Sequence, residues 1–322
     1  MSAKFKVIIF LSIAMSSCYP KDDLFEPLNK FDVELSQVAI DKCLKENPSV
    51  SEFSCNVKNC LASPLTLRAV QELLIEVDAA LKKVGINYWV DSGSAIGAAR
   101  GFLLPWDDDV DLGVLQENFG EEKIRQLKNE LEQRGFSLAP HTSPLFLNNA
   151  FGVGGLYQVS YRKYKFLALI YKNDPSVTIV DAENLWTKYK LTGSHFPHLD
   201  IFEFVESPPG MITYAARLFA KGQWNGRLIE KSKIVGDKKV EILRRSYPGI
   251  QDPEEYFRIA YHTDNILNDF VIFQDHKPRC EKLRFKDIRK HKELLQYFFD
   301  YLKFVFKDEF DETKAKQNYG LK

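Results

Sequence analysis

The segment that most restricts how this chain can fold runs from Trp89 to Val114. It reads WVDSGSAIGAARGFLLPWDDDVDLGV, with three glycines in nine positions and then four carboxylates in five. Side chains alternate between the two faces of a strand, so a strand over 110–114 turns its apolar residues to one face and Asp109 and Asp111 to the other. The segment therefore predicts a strand that buries one face in the core.

The carboxylates of Asp109 and Asp111 point to the same place and therefore need a counter-charge. Like charges about 4 Å apart repel by roughly 1 kcal/mol in water and roughly 4 kcal/mol at an effective dielectric constant of about 20. A run of three aspartates is by itself more typical of a solvated loop, but here it enters a strand whose alternate residues are apolar. Hard oxygen ligands suit Mg²⁺ or Mn²⁺, so Asp109 and Asp111 predict a divalent metal site.

The glycines before the acidic run indicate a place for phosphate. Gly93 and Ser94 lie between a predicted strand, Tyr88 to Val90, and a predicted short helix, Ala95 to Arg100. Backbone N–H groups at a helix N-terminus bind anions, and the serine hydroxyl adds a donor. A serine hydrolase is the weaker interpretation, because Gly93 directly precedes Ser94 and breaks the pattern of a nucleophile elbow.

Outside this segment, hydrophobic spacing predicts an α/β or α+β fold with a mixed sheet. The strongest element is a helix with Ser63 as N-cap and Pro64 in its first turn, ending at Gly85. Further helices are predicted over Glu121–Arg134, from Asp252 and over Lys292–Lys307, and strands over Tyr157–Tyr161, Phe166–Tyr171, Val177–Val180 and Leu199–Phe204.

Two features of the C-terminal region have competing interpretations. The aromatic-rich helix over Lys292–Lys307 is favoured as a buried core helix, with a membrane-surface or partner helix as the alternative. The basic stretch from Lys282 to Lys292 is favoured as a solvated face, although one of its lysines could contact a pyrophosphate.

Motifs in this segment and on a later predicted strand resemble those of the LicD/fukutin/fukutin-related protein family. The resemblance lies in Asp91 to Ser94 with Gly97 and Arg100, in Pro105 to Gly113, and more faintly in His198 to Phe202. It implies a nucleotidyltransferase-like mixed sheet flanked by helices, with a mainly helical C-terminal part. It also implies a Mg²⁺- or Mn²⁺-dependent transferase that moves ribitol phosphate or phosphocholine from a CDP-activated alcohol to a glycan acceptor.

The resemblance assigns roles to particular residues. It implies Asp109, Asp111 and Asp200 as catalytic, Asp107, Asp109 and Asp111 as metal ligands, and Gly93, Ser94 and Arg100 as donor-binding residues. Asp200 is expected to orient or deprotonate the acceptor hydroxyl, with a capping or salt-bridged aspartate as the alternative. Arg100 has a salt bridge as its alternative, and Glu203 stands where the family pattern leads us to expect proline.

A rival interpretation is a secreted protein that keeps the fold to bind a glycan or nucleotide without catalysis. Such a protein would be expected to lose a metal ligand, whereas Asp107, Asp109 and Asp111 are all present. The 44 basic residues balance the 44 acidic ones, which argues against a nucleic-acid partner.

The N-terminus has the order of a secretory signal, with an apolar stretch from Val7 to Met15 behind two lysines and before the small residues that end at Cys18. It is shorter than the about 20 residues that span a bilayer, so cleavage is expected over permanent anchoring. The expected location is the ER or Golgi lumen or the outside of the cell. An uncleaved anchor would make a single-pass membrane protein, and membrane contact is expected only then.

Four cysteines remain after this signal, at positions 43, 55, 60 and 280. An even number in a secreted chain predicts two disulfides, with three possible pairings, and zinc is the less favoured alternative because no Cys-x-x-Cys pair occurs. We divide the chain into a signal at 1–18, a cysteine-bearing segment at 19–62, a nucleotidyltransferase-like core at 63–206 and a mainly helical region at 207–322.

Overall fold

The fold comes from a computed structural model, which describes residues 31, 34–140, 155–192, 197–215, 228–272 and 280–321. The predicted signal at 1–18 lies outside the described residues and stays a prediction. Within these ranges, no helix is long and apolar enough to cross a membrane.

Helices and short strands alternate along the chain. The α-helices are α1 Gln37–Glu46, α2 Glu52–Cys55, α3 Pro64–Val84, α4 Ser92–Arg100, α5 Glu121–Gln133, α6 Lys163–Asn173, α7 Ile179–Thr192, α8 Lys231–Ile234, α9 Pro253–Tyr261, α10 Lys292–Phe306 and α11 Glu312–Asn318. The strands are β1 Tyr88–Val90, β2 Asp109–Leu115, β3 Phe136–Pro140, β4 Leu156–Tyr161, β5 His198–Glu206, β6 Met211–Tyr214, β7 Ile229–Glu230, β8 Lys239–Ile242, β9 Arg245–Pro248, β10 Phe270–Ile272 and β11 Leu283–Phe285.

Seven strands form one mixed sheet with the order β1-β2-β5-β4-β3, and β6 and β7 extend it from β5. The β2–β5 pair is parallel, whereas β1–β2, β4–β5 and β3–β4 are antiparallel. Two separate hairpin-like pairs, β8–β9 and β10–β11, lie in the C-terminal region beside its helices. The predicted mixed α/β fold with a helical C-terminal part is confirmed.

Both faces of this sheet are covered. On one face, α3, α5 and α6 pack against a core that includes Val110, Leu112 and Ile201. On the other, a second cluster contains Phe202, Phe204 and residues of α9.

The helix that was strongest in the sequence forms as predicted. The Ser63 hydroxyl accepts the Thr66 N–H, Pro64 is in the first turn, and Gly85 ends α3 with φ 71°. A left-handed C-cap favours glycine because it has no Cβ to clash. Helix α5 and strands β1, β2, β4 and β5 also lie where the spacing predicted them, within one or two residues.

Two predicted strands are wrong, because 166–171 lies within α6 and 177–180 leads into the start of α7. Over Phe166–Tyr171 the buried residues are Phe166, Leu169 and Ile170, which follow a helical three- and four-residue step within α6. Over Val177–Val180, the Thr178 hydroxyl accepts the Asp181 N–H and caps the start of α7. A short apolar run has no periodicity that separates the two structures.

The described cysteines form two disulfides, Cys43–Cys55 and Cys60–Cys280. The structure thereby selects one of the three pairings that an even count left open. The C-terminal helix α10 is a core helix, as favoured above, with Leu295, Phe298 and Leu302 fully buried.

Candidate functional site

The register of two parallel strands brings the predicted carboxylates together. Asp109 on β2 is paired with His198 on β5, and Asp111 is paired with Asp200. Val110 and Leu112 turn into the core, so the aspartates face the other way, as the alternation predicts. Asp200 shares that face with His198, which lies two residues before it.

Two groups of possible metal ligands share Asp109. In one, atoms of Asp109, His198 and Asp200 lie within 4.8 Å of one another, and in the other the same holds for Asp107, Asp108 and Asp109. The His198 Nε2 atom is 3.8 Å from Asp109 Oδ2 and 3.8 Å from Asp200 Oδ1. Gln158 on β4 reaches the same carboxylate, with its Nε2 3.5 Å from Asp200 Oδ1.

Among the described residues, neither group includes Asp111, whose carboxylate is held from α4. Its Oδ2 accepts the Gly93 N–H at 3.1 Å, and its own N–H donates to Ser94 Oγ at 2.9 Å. A Cβ on Gly93 would lie 2.8 Å from Asp107 Oδ2 and 3.4 Å from Asp111 Oδ2. The Gly-Ser pair therefore orients Asp111, and the missing Cβ of Gly93 leaves room for the carboxylates of Asp107 and Asp111.

Helix α4 begins at Ser92, three residues before the predicted start, so Gly93 and Ser94 form its first turn instead of a preceding loop. The reason is local: the Ala95 N–H donates to the Asp91 carbonyl at 2.7 Å, and Ser92 takes a left-handed φ of 43°. Phosphate binding by Gly93 and Ser94 stays a prediction, and the single N–H donor of Gly93 is bonded to Asp111.

The ionised carboxylates of the cluster repel one another. Burial raises the pKa of Asp107 well above its usual value, and the charges of Asp109, Asp111 and Asp108 raise it further. Burial likewise raises the pKa of Asp111 well above its usual value, with added effects of Asp109, Asp200 and Asp91. Protons or a cation must relieve this repulsion.

A second buried carboxylate, Asp91, anchors the start of α4. It is fully buried and accepts hydrogen bonds from Tyr214 Oη at 2.5 Å, Tyr256 Oη at 2.9 Å and Trp89 Nε1 at 3.2 Å. Burial raises the pKa of Asp91, while these three bonds act in the opposite direction. The Ser92 N–H also donates to Tyr256 Oη at 3.0 Å, so the left-handed residue is held at its backbone.

Trp89 reaches Asp91 because residue 113 is glycine. A Cβ there would lie 2.2 Å from the Trp89 ring, so the indole lies directly against the strand backbone on the site face. The last residue of α9 is Tyr261: burial raises its pKa well above the usual value, and the charges of Asp91 and Asp111 raise it further.

Arg100 does not join the cluster. Its guanidinium donates to the backbone carbonyls of Ile266 and Asp269 and stacks over the Phe270 ring, with 3.9 Å from Cζ to the ring centroid. It is 1% exposed, which lowers its pKa to about 10. The arginine thus fastens α4 to the C-terminal region, and these contacts are backbone and aromatic instead of the salt bridge that was its alternative.

Comparison with known proteins identifies the region that contains this site. Residues 85–216 match the family model described as LicD/FKTN/FKRP, nucleotidyltransferase domain. The chain carries a domain of the LicD/FKTN/FKRP family. All the carboxylates described above lie within this LicD/FKTN/FKRP domain, whereas Tyr256 and Tyr261 lie beyond its matched residues.

Curated relatives match a shorter stretch. The chain is 42% identical over 77 residues to the ribitol 5-phosphate transferase FKRP of Homo sapiens and of Mus musculus, which is 23% of this chain and 16% of each relative. It is 32% identical over 72 residues to an uncharacterised protein of Rickettsia prowazekii (strain Madrid E), 22% of this chain and 26% of that protein. The chain thus aligns with a minor part of these relatives.

The residues of the LicD/FKTN/FKRP domain fit a divalent cation. The ligand groups offer carboxylate oxygens at short mutual distances, and the raised pKa values show that these acids are crowded enough to need a counter-charge. Sequence reasoning did not assign His198, Asp91, Tyr256 or Tyr261 to the site. Two of them had a signal in the sequence: His198 lies two residues before Asp200 on a predicted strand, and Asp91 begins the motif Asp91 to Ser94.

Proposed function

We propose that this chain is a metal-dependent transferase that moves a phosphorylated alcohol, of the ribitol phosphate or phosphocholine type, from a CDP-activated donor to a glycan acceptor. The observation that carries the proposal is the carboxylate cluster at the paired starts of β2 and β5, beside the first turn of α4. The similarity to a ribitol 5-phosphate transferase supports the ribitol type.

The acids of the cluster have different roles in this proposal. Asp107, Asp109 and Asp111 would hold Mg²⁺ or Mn²⁺, which when bound supplies charge to neutralise the donor diphosphate and the departing CMP. The Gly93 N–H and Ser94 hydroxyl keep Asp111 in place at the start of α4. This preorganisation means that the carboxylates need not move when the donor binds.

In this proposal, Asp200 acts on the acceptor. The acceptor oxygen forms a bond to the phosphorus of the alcohol phosphate, the bond from that phosphorus to the CMP oxygen breaks, and the acceptor proton passes to the Asp200 carboxylate. Gln158 and His198 both approach Oδ1 of this carboxylate, at 3.5 Å and 3.8 Å. A base held in one orientation is more often aligned with the acceptor hydroxyl.

The proposed location is the lumen of the secretory pathway. The two disulfides support it, since such bonds persist in oxidising compartments and are rare in reducing ones. The predicted N-terminal signal points the same way, and intact-mass measurement of secreted material would show whether it is removed.

The test is release of CMP by the purified full chain from a panel of CDP-alcohols with Mn²⁺ or Mg²⁺ and candidate glycan acceptors. We expect Asp109→Asn to lower the rate by about a thousandfold or more without loss of the fold, because it removes the ligand that both groups share. Asp237→Asn is the matched control, because Asp237 is an exposed turn residue far along the chain from these strands, and should leave the rate unchanged.

Two results would contradict the proposal. An active Asp109→Asn variant would remove the metal assignment. Wild-type protein that binds both Mn²⁺ and a CDP-alcohol but releases no CMP with any acceptor would favour the non-catalytic binding protein.

A further inference from the structure

His198 lies inside the carboxylate cluster, although the family motif assigned it no role. Its position opposite Asp109 is set by the parallel register of β2 and β5, and alternation along β5 places it on the same face as Asp200. The side chain is 16% exposed, so the ring is mostly withdrawn from water while its Nε2 faces the two carboxylates.

The distances around this nitrogen match those between ligands of one ion. Both carboxylate oxygens are 3.8 Å from Nε2, which is longer than the roughly 2.7–3.2 Å of a hydrogen bond. Two ligand atoms about 2.1 Å from a shared cation lie about 3.0 Å apart at right angles and about 4.2 Å apart when opposite. A separation of 3.8 Å falls between these limits.

The distance to Nε2 is the same for both carboxylates. Oδ2 of Asp109 and Oδ1 of Asp200 belong to neighbouring strands, and both approach Nε2 at equal distance. All three ligand atoms lie within 4.8 Å of one another and form one candidate ligand set.

We propose that His198 is a nitrogen ligand of the catalytic cation and makes the site select Mn²⁺ over Mg²⁺. The inference rests on the proposed function for the presence of a divalent cation. Mg²⁺ strongly favours oxygen ligands and holds its waters tightly, whereas imidazole binds later first-row metals with rising affinity and Mn²⁺ accepts a mixed nitrogen and oxygen set. A single histidine among carboxylates therefore shifts the preference toward Mn²⁺.

The test is pulsed electron paramagnetic resonance of the full chain loaded with Mn²⁺, which detects ¹⁴N nuclei bonded to the ion. We expect a ¹⁴N coupling in the wild type that is lost in His198→Asn, because the shorter side chain cannot reach the position of Nε2. The ratio of Mn²⁺ to Mg²⁺ affinity, from competition titration, should fall by about tenfold or more.

His262→Asn is the matched control. His262 is exposed at the end of α9 with φ 54°, a conformation that asparagine tolerates, so this variant should keep both the coupling and the affinity ratio of the wild type. Melting curves of both variants verify the fold, and the wild-type spectrum tests the ligand without any substitution.

The outcomes separate this inference from the proposed function. Tight Mn²⁺ binding without ¹⁴N coupling, or with a coupling that persists in His198→Asn, overturns the ligand role and leaves the carboxylate metal site intact. Absence of Mn²⁺ binding by the wild type overturns both. An affinity ratio unchanged in His198→Asn overturns the selectivity even where the coupling is lost.

Discussion

At the scale of single residues, the acids of this cluster oppose stability. Asp107 is half-buried, and three neighbouring aspartates add to burial in raising its pKa well above the ordinary 3.8. Each unit by which a pKa is raised corresponds to about 1.4 kcal/mol between the two protonation states. Conformational stability is therefore lower when these acids are ionised and no cation is bound.

The sign of the pH dependence follows from these shifts. A folded protein whose carboxyl has a raised pKa holds its proton where the unfolded chain has released it, so the free energy of unfolding falls as pH rises from about 3.8 through the raised value. We expect Asp107→Asn to reduce this slope in EDTA and to stabilise the metal-free protein at pH 7 by about 1 kcal/mol or more.

Urea unfolding in EDTA between pH 4 and 8 measures this effect, and Mn²⁺ titration of the same variant should show weaker binding. A variant as pH-sensitive as the wild type would mean that Asp107 is not repelled by its neighbours. Added Mn²⁺ should restore stability to the wild type much more than to the variant.

At the scale of elements, the first turn of α4 depends on α9, which is distant in sequence. Tyr256 donates to Asp91 and accepts the N–H of Ser92, so one hydroxyl holds both the buried carboxylate and the left-handed residue. Left-handed backbone at a non-glycine residue costs about 1 kcal/mol or more and persists where its surroundings hold it.

Removing that hydroxyl should therefore loosen the site. We expect Tyr256→Phe to lower the free energy of unfolding by about 1–3 kcal/mol, since it leaves two buried partners with one bond fewer each. CMP release should fall as well, because Gly93 and Asp111 depend on the same turn.

Tyr297→Phe is the matched control for this variant. Tyr297 is also a buried tyrosine, but its hydroxyl has no hydrogen-bond partner among the described residues, so its removal should be neutral or slightly stabilising. Equal losses of stability in both variants would show that ring packing, and not the Asp91 bond, carries the effect.

At the scale of the whole molecule, the N-terminal segment and the C-terminal region are joined to each other and to the core. The Cys60–Cys280 disulfide closes a separation of 220 residues, whereas Cys43–Cys55 closes only 12. Tyr301 on α10 also hydrogen-bonds the carbonyl of Ala62. Residues on both sides of the LicD/FKTN/FKRP domain are thereby held together.

The two disulfides should contribute unequally. The loop-entropy estimate is about 5 kcal/mol for the long loop and about 3 kcal/mol for the short one, so replacing Cys60 and Cys280 by serine should lower the melting temperature more than replacing Cys43 and Cys55. Differential scanning calorimetry of the two double variants compares them directly. The reverse order would place the stabilising constraint within 43–55.

The sequence by itself determined the elements whose signals are local. Helix α3 has its cap, its first-turn proline and its terminal glycine in the chain, and β2 has its alternation of apolar and acidic residues. The common face of Asp109 and Asp111 follows directly from that alternation, because the period of a strand needs no partner to fix which side chains share a face.

Only the tertiary structure decided which distant groups meet those acids. The helical state of 166–171 depends on packing beneath the sheet, and the pairing of Asp109 with His198 depends on a parallel register between strands far apart in sequence. Tyr256 reaches Asp91 across 165 positions, and Arg100 is taken from the site by backbone carbonyls. The local periodicity of the sequence does not predict such contacts, because they depend on how the faces of the elements pack.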